Sequence, residues 1–267
     1  MSRIQLERAG SVATLWLDRP DKRNAMDAEM MQELGAALDE VGGDGSVRVV
    51  VLRGRGAMFS SGIDHSLLGS VLGAVHGPGA KTPFLHLHHQ LQDTFHRLSR
   101  LHQPVIAALH GAAVGMACEL ALAADIRIAT EDTVMGLPEI AFGIIPDVGG
   151  TTRLVRCVGE PRARELVLTG RLVKARTAER YGMVHDVVAD LAALDQRVQA
   201  RAELLASHSP TALGLAKVLV QASGDSDAAT SFRLEGAIQQ GLLGQPELAT
   251  RFAAGVAFIK AQMQSAE

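Results

Sequence analysis

Three carboxylates stand out by the company they keep. Glu119 is the only charge between Ala112 and Ala124, within AAVGMACELALAA. A helix that is apolar on every face is a buried helix. A carboxyl group there loses solvent, which raises its pKa and suits it to proton transfer. Glu139 and Asp147 are the only charges between Thr133 and Val148, each directly preceded by a proline, Pro138 and Pro146. The prolines fix backbone direction and place both acids in loops. Three acids in two apolar segments suggest a dry cleft whose carboxyls split their pKa values, one serving as acid and another as base. Plainer accounts exist for each: Glu119 paired with an arginine, Glu139 solvated, Asp147 as an N-cap ahead of Gly149-Gly150-Thr151.

Two glycine-bearing segments are the natural partners of such acids. Met58-Phe59-Ser60-Ser61-Gly62-Ile63-Asp64 and Gly111-Ala112-Ala113-Val114-Gly115-Met116 each follow a β-branched run. Open α/β sheets place ligands beyond their strand C-termini. Gly115-Met116 also opens a helix, where free N–H groups and the positive dipole end face outward. Two N–H groups converging on one oxygen make an oxyanion hole. Other chemistry is poorly supported. His86, His88 and His89 lack Cys or Asp/Glu partners at metal-ligand spacing and read as a solvated helix face, so no metal is expected. Gly149-Gly150-Thr151-Thr152 lacks the lysine of a phosphate loop, and no G-x-S-x-G elbow occurs.

The elements that must position these residues follow from periodicity. Ile4, Leu6 and Arg8, then Val12–Leu17, predict an antiparallel hairpin. Asp27 is the expected N-cap of a helix to about Val41. Val47–Leu52, Pro104–Leu109 and Ile126–Ala129 read as strands buried on both faces. Helices are expected over Phe84–Arg100 and Gly115–Ala124. The alternation predicts a layered α/β core with right-handed crossovers. After about Thr151 helical patterns dominate, which suggests a second, helical subdomain. Ser66–Pro83 is rich in glycine and reads as a mobile loop near function.

Composition excludes several classes. The chain has 267 residues, 47% hydrophobic and 21% charged, with formal net charge −3. That argues against wholesale disorder and against a general nucleic-acid binder. Cys118 and Cys157 are the only cysteines, so no disulfide framework is implied and a reducing cytoplasm is expected. Neither a signal peptide nor a membrane span is expected.

Taken together, the motifs resemble the enoyl-CoA hydratase/isomerase (crotonase) superfamily over nearly the whole chain. The resemblance is carried by Arg19-Pro20-Asp21-Lys22-Arg23-Asn24-Ala25-Met26, by Phe59 to Asp64, by Pro104 to Gly111, by Val114 to Leu120, and by Leu137 to Thr151. It implies an α/β fold: a crotonase-like ββα spiral core over residues 1–200 that binds acyl-CoA, and a C-terminal helical region over 201–267 that builds trimers, often paired into hexamers. It implies that the N–H groups of Ile63 and Met116 form the oxyanion hole and that Glu119 and Glu139 are the hydratase acids. The CoA-binding positions fall on Lys22, Arg23, Ala25, Met26, Ser61, Gly62, Asp64 and Gly115. No cofactor is implied, because coenzyme A is part of the substrate. The activity implied is enoyl-CoA hydration across a 2-trans double bond.

Two positions depart from the typical hydratase pattern. Met116 stands where many hydratases have glycine, which leaves a backbone donor but can narrow the acyl pocket. Asp147 stands where they also have glycine, as in the 3,5-to-2,4-dienoyl-CoA isomerases, which use that acid with the one matching Glu139. The isomerase is therefore the first alternative. Family hydrolases of 3-hydroxyisobutyryl-CoA share a Pro-Asp-Val-Gly-Gly segment, but they lack an acid matching Glu119. A non-catalytic acyl-CoA binding protein is a further alternative. Phe252, Val256 and Ile259 form an apolar stripe that either packs on a neighbouring copy or covers its own core.

Overall fold

The computed structural model describes residues 2–69 and 81–265. A six-stranded sheet runs β1 (Ile4–Ala9), β2 (Val12–Leu17), β3 (Val49–Gly54), β4 (Val105–Leu109), β6 (Ile126–Thr130) and β9 (Asp186–Val188) in spatial order. The β1–β2 hairpin is antiparallel and every later pairing is parallel. A small second sheet is built from β5 (Ala112–Val114), β7 (Val134–Gly136) and β8 (Val173–Lys174). The chain is of the α/β class, with strands and helices alternating through the core and a C-terminal helical region.

Period-2 alternation divides the central strands between two cores. Val50, Leu52, Ala107 and Leu109 face the larger one, packed with α1 (Ala28–Gly43), α2 (Lys81–Arg100) and α3 (Met116–Ala123). Val49, Val51, Ile106, Ala108 and Ile128 face Leu194, Val198 and Ala202 of α7 (Leu191–Ser207). A strand covered on both faces needs apolar residues at every position, which is why β3 and β4 read as unbroken runs. Asp27 caps α1 as expected, its side chain accepting from Met30 N.

Several expectations need correction. Residues 65–69 are helical and α2 begins at Lys81, so both ends of the expected Ser66–Pro83 loop are helix, while its larger part, 70–80, lies outside the described residues. The helices α4 (Gly150–Val158), α5 (Glu160–Thr169), α6 (Ala175–Tyr181) and α7 do not form one subdomain with the helices beyond Ser207. The chain divides into two compact units, Met1–Ala206 and Ser207–Glu267. A boundary at 200/201 falls inside α7, which runs unbroken to Ser207. The second unit holds α8 (Pro210–Ser223), α9 (Ala228–Leu243) and α10 (Leu248–Ser265), where Phe252, Val256 and Ile259 are exposed rather than buried in a core. Among the described residues, no helix is long and apolar enough to cross a membrane.

Candidate active site

Two loops beyond the C-termini of β3 and β4 are laced together by backbone. Phe59 N donates to His110 O at 2.8 Å and Ser60 N to Ala112 O at 2.9 Å. Asn24 fastens a third loop, its buried Nδ2 donating to Arg55 O, Met58 O and Phe59 O at 2.8, 2.9 and 3.1 Å. Met26 N donates to Gly62 O and Asp64 N to Met26 O, both at 2.8 Å, around an isolated parallel bridge between Met26 and Ile63. In such a bridge the central residue's own N–H points the other way. Ile63 N–H therefore faces away from Met26. The Met116 N–H is the first of α3, one of the donors a helix cannot satisfy internally.

Gly62 lets the two donor-bearing segments approach closely. Its φ of +96° is a left-handed conformation that favours glycine, and a Cβ there would collide with Val114 O and lie 3.6 Å from Met116 N. Opposite stands Glu139, at the start of the 3-10 turn Glu139–Phe142. A Cβ on Gly115 would lie 3.2 Å from Glu139 Oε1. The Gly62–Ile63 segment thus lies against Val114–Met116, and Glu139 lies beside Gly115.

Glu119 sits on α3, where every residue is buried. Its carboxylate is held by backbone amides, Oε2 accepting from Gly150 N at 2.6 Å and Val148 N at 3.1 Å, and among the described residues no arginine pairs with it. A Cβ on Gly150 would fall 2.5 Å from Glu119 Oε2, so the 147–150 loop fits onto the carboxylate only as glycine at that position. Burial, and then the neighbouring Glu139 charge, push the Glu119 pKa up to about 8, against the two amide bonds. Burial likewise raises Glu139 to about 7, with Asp147 adding to the rise. Glu139 is 9% exposed, so it is not the solvated loop residue of the plainer account, and its Oε2 is buried with no hydrogen-bond partner among the described residues.

Asp147 lies at the rim, its side chain half exposed, its pKa raised by burial and partly lowered again by His88. It is not the N-cap of α4; Gly149 is, without a side-chain cap. His88, expected on a solvated face, instead places Nε2 3.2 Å from Asp147 Oδ2. Gln92, one turn along α2, donates Nε2 to Asp147 O at 2.7 Å. Sequence reading gave Gln92 no role at the site, noting only that the Leu91–Phe95 stretch resembles the dienoyl-CoA isomerases, and dismissed His88; their partner is 55 and 59 residues away. No cluster of potential metal ligands occurs among the described residues.

The remaining expected positions differ in exposure. Lys22 and Arg23 are exposed, Ala25 and Ser61 half-buried, and Met26 fully buried, so Met26 contributes backbone only. The Asp64 carboxylate is already engaged, by Ser66 N and Oγ at 2.8 and 2.7 Å and by Arg19 Nη1 at 3.0 Å.

The family model described as enoyl-CoA hydratase/isomerase matches residues 7–249. A Rhizobium meliloti protein named "Probable enoyl-CoA hydratase" is 36% identical over 261 residues, covering 98% of this chain and 97% of its own length. The crystal structure of an enoyl-CoA hydratase from Bacillus anthracis superposes with a TM-score of 0.86 at 31% identity, covering 97% of this chain and 96% of that one. A Thermobifida fusca YX structure, solved in complex with CoA, gives 0.82 at 35% identity over 93% of this chain and 95% of its own.

Proposed function

The chain belongs to the enoyl-CoA hydratase/isomerase family and is an enzyme, and from that premise we propose that it hydrates a 2-trans-enoyl-CoA. The observation that carries this reading is a pair of buried, mutually interacting carboxyls, Glu119 and Glu139, beside the adjoining Gly62–Ile63 and Gly115–Met116 segments. In this reading the thioester oxygen accepts from Ile63 and Met116. That polarises the conjugated system, makes Cβ electrophilic and stabilises the enolate that forms. Glu119 and Glu139 hold one water. With carboxyls raised to about 8 and about 7, the pair retains protons at neutral pH and offers one acid and one base. The base takes a proton from the water as its oxygen bonds to Cβ; the acid delivers a proton to Cα. The sum is one water added, with no cofactor beyond the CoA of the substrate. Lys22 and Arg23 are free to meet CoA phosphates, while Ala25, Met26, Ser61, Gly62, Asp64 and Gly115 shape the path chiefly through backbone.

One observation favours a second reading. Asp147, at the rim, adds to the pKa rise of both Glu139 and Glu119, so a third acid stands near the pair. In a 3,5-to-2,4-dienoyl-CoA isomerase, Asp147 and Glu139 would move a proton along the conjugated chain. The purified enzyme given a 2-trans-enoyl-CoA and a 3,5-dienoyl-CoA separates the two. A gain of about 18 Da on the first establishes hydration. New long-wavelength absorbance on the second without mass change, and none of that gain on the first, replaces hydratase by isomerase.

The second unit exposes Phe232, Phe252, Ile259 and Met263, each more than half accessible. We propose that they pack between copies in a homotrimer or a hexamer of paired trimers. Light scattering at micromolar concentration checks this; a monomer mass refutes it.

A further inference from the structure

One peptide unit links α2 to Glu119. Its carbonyl, that of Asp147, accepts from Gln92 Nε2 at 2.7 Å, and His88 Nε2 lies 3.1 Å from the same oxygen. Its N–H, that of Val148, donates to Glu119 Oε2 at 3.1 Å. The C=O and N–H of a trans peptide point in opposite directions across a rigid plane. One edge of that plane is therefore pinned by α2 while the other grips the carboxylate. A carbonyl that accepts a hydrogen bond polarises its own peptide N–H and strengthens the bond that N–H makes. Arg153 braces the next peptide: its Nη1 donates to Val148 O at 2.9 Å, and its Nη2 reaches Phe95 O of α2 at 3.4 Å. The loop has no slack to absorb a shift, because Gly150 already lies against Glu119.

We propose that Gln92, supported by His88, is a positioning residue that fixes the Glu119 carboxylate through the Asp147–Val148 peptide, without touching substrate. Functional interest in Glu119 rests on the hydratase reading, but the contact itself is tested without turnover. The charged and titratable groups facing Glu119 are Glu139 from the 3-10 turn, Asp147 from the rim, Arg153 from α4 and Cys118 beside it on α3. Gln92 is neutral, so removing its donor leaves those charges in place. It weakens the Val148 N–H bond, which favours the ionised carboxylate.

The experiment follows the Glu119 carboxyl by carbon NMR in protein labelled at glutamate, the signal assigned by its loss in Glu119→Gln. In Gln92→Met, nearly the same size but with no donor, the Glu119 titration moves to higher pH. Hydration kcat falls about five- to tenfold while KM stays within about twofold. Gln92→Leu, which also lacks a donor and adds no charge, moves both readouts in the same direction and serves if the methionine variant does not fold. A Glu119 titration unchanged in both variants overturns the proposal, whatever happens to kcat, since a general loss of folded protein lowers activity without moving that titration. A wild-type enzyme that hydrates no enoyl thioester refutes the hydratase reading, while the titration still decides the role of Gln92.

Discussion

Asp64 and Glu119 are both carboxylates gripped by backbone amides, yet they sit at opposite ends of the acidity scale. Asp64 accepts from Ser66 N and Oγ and faces Arg19, and the Ser66 bonds, with Arg19 adding to them, hold its pKa down at about 2. Glu119 accepts from Val148 N and Gly150 N, and rises to about 8. Hydrogen bonds to the charged form pull both downward. What separates them is the surroundings. Asp64 has a guanidinium and some solvent; Glu119 is 2% exposed and its neighbouring charges include Glu139 and Asp147. Around Asp64 the charges are neutralised: Arg19 also meets Asp27 at 3.0 Å, and Arg3 pairs with Asp27 in turn. That region is built to hold a loop in place. The Glu119 region is left electrostatically unbalanced, the arrangement that proton transfer requires.

The sharpest way to break this contrast is to remove the unbalanced groups. Glu119→Gln and Glu139→Gln each lower hydration kcat by about two to four orders of magnitude in steady-state assays, whereas Asp64→Asn leaves kcat within about tenfold. Near-normal turnover in both glutamine variants refutes the catalytic assignment.

Stability should respond with opposite signs. The folded pKa of Glu119 lies above its ordinary 4.5, so folding favours the protonated form. Its contribution is complete below about pH 4.5 and is lost as pH rises through about 8. Glu119→Gln therefore raises Tm over wild type by roughly 5 °C at about pH 9 and changes it little at about pH 4. Asp64 has its folded pKa below the ordinary 3.8, so its contribution is present above that value and lost as pH falls through about 2. Asp64→Asn lowers stability by about 1 kcal/mol at neutral pH, and the deficit disappears near pH 2. Thermal scans at the two extremes measure both; the same sign for both variants sinks the comparison.

The smallest effect belongs to the exposed cations of the loop that Asn24 fastens. Lys22→Ala and Arg23→Ala raise KM for acyl-CoA by about three- to tenfold with kcat nearly unchanged, and added salt shrinks the difference. A fall in kcat with constant KM assigns these residues to something other than CoA binding.

The site's acids were legible because an isolated charge in an apolar run is informative without any partner. Glu119 within AAVGMACELALAA needs only helical burial to become unusual. The same logic located β3, β4 and β6. It failed for β5, β7, β8 and β9, whose two or three residues are too few to show a period. It failed for His88 too, since a histidine on a helix reads as solvated until the 147–150 loop is placed against it.

From the sequence alone came the α/β class, the family resemblance, the Asp27 cap and the three candidate acids, because each depends on residue type, local spacing or order along the chain. The tertiary structure alone decided which carboxylates are neutralised and which are not. Glu119 meets its amides 31 residues away, Asp64 meets Arg19 across 45, and Asp147 meets Gln92 across 55. A carboxyl's proton affinity is set by the charges, donors and solvent within a few ångströms, and those neighbours are fixed only when distant segments pack.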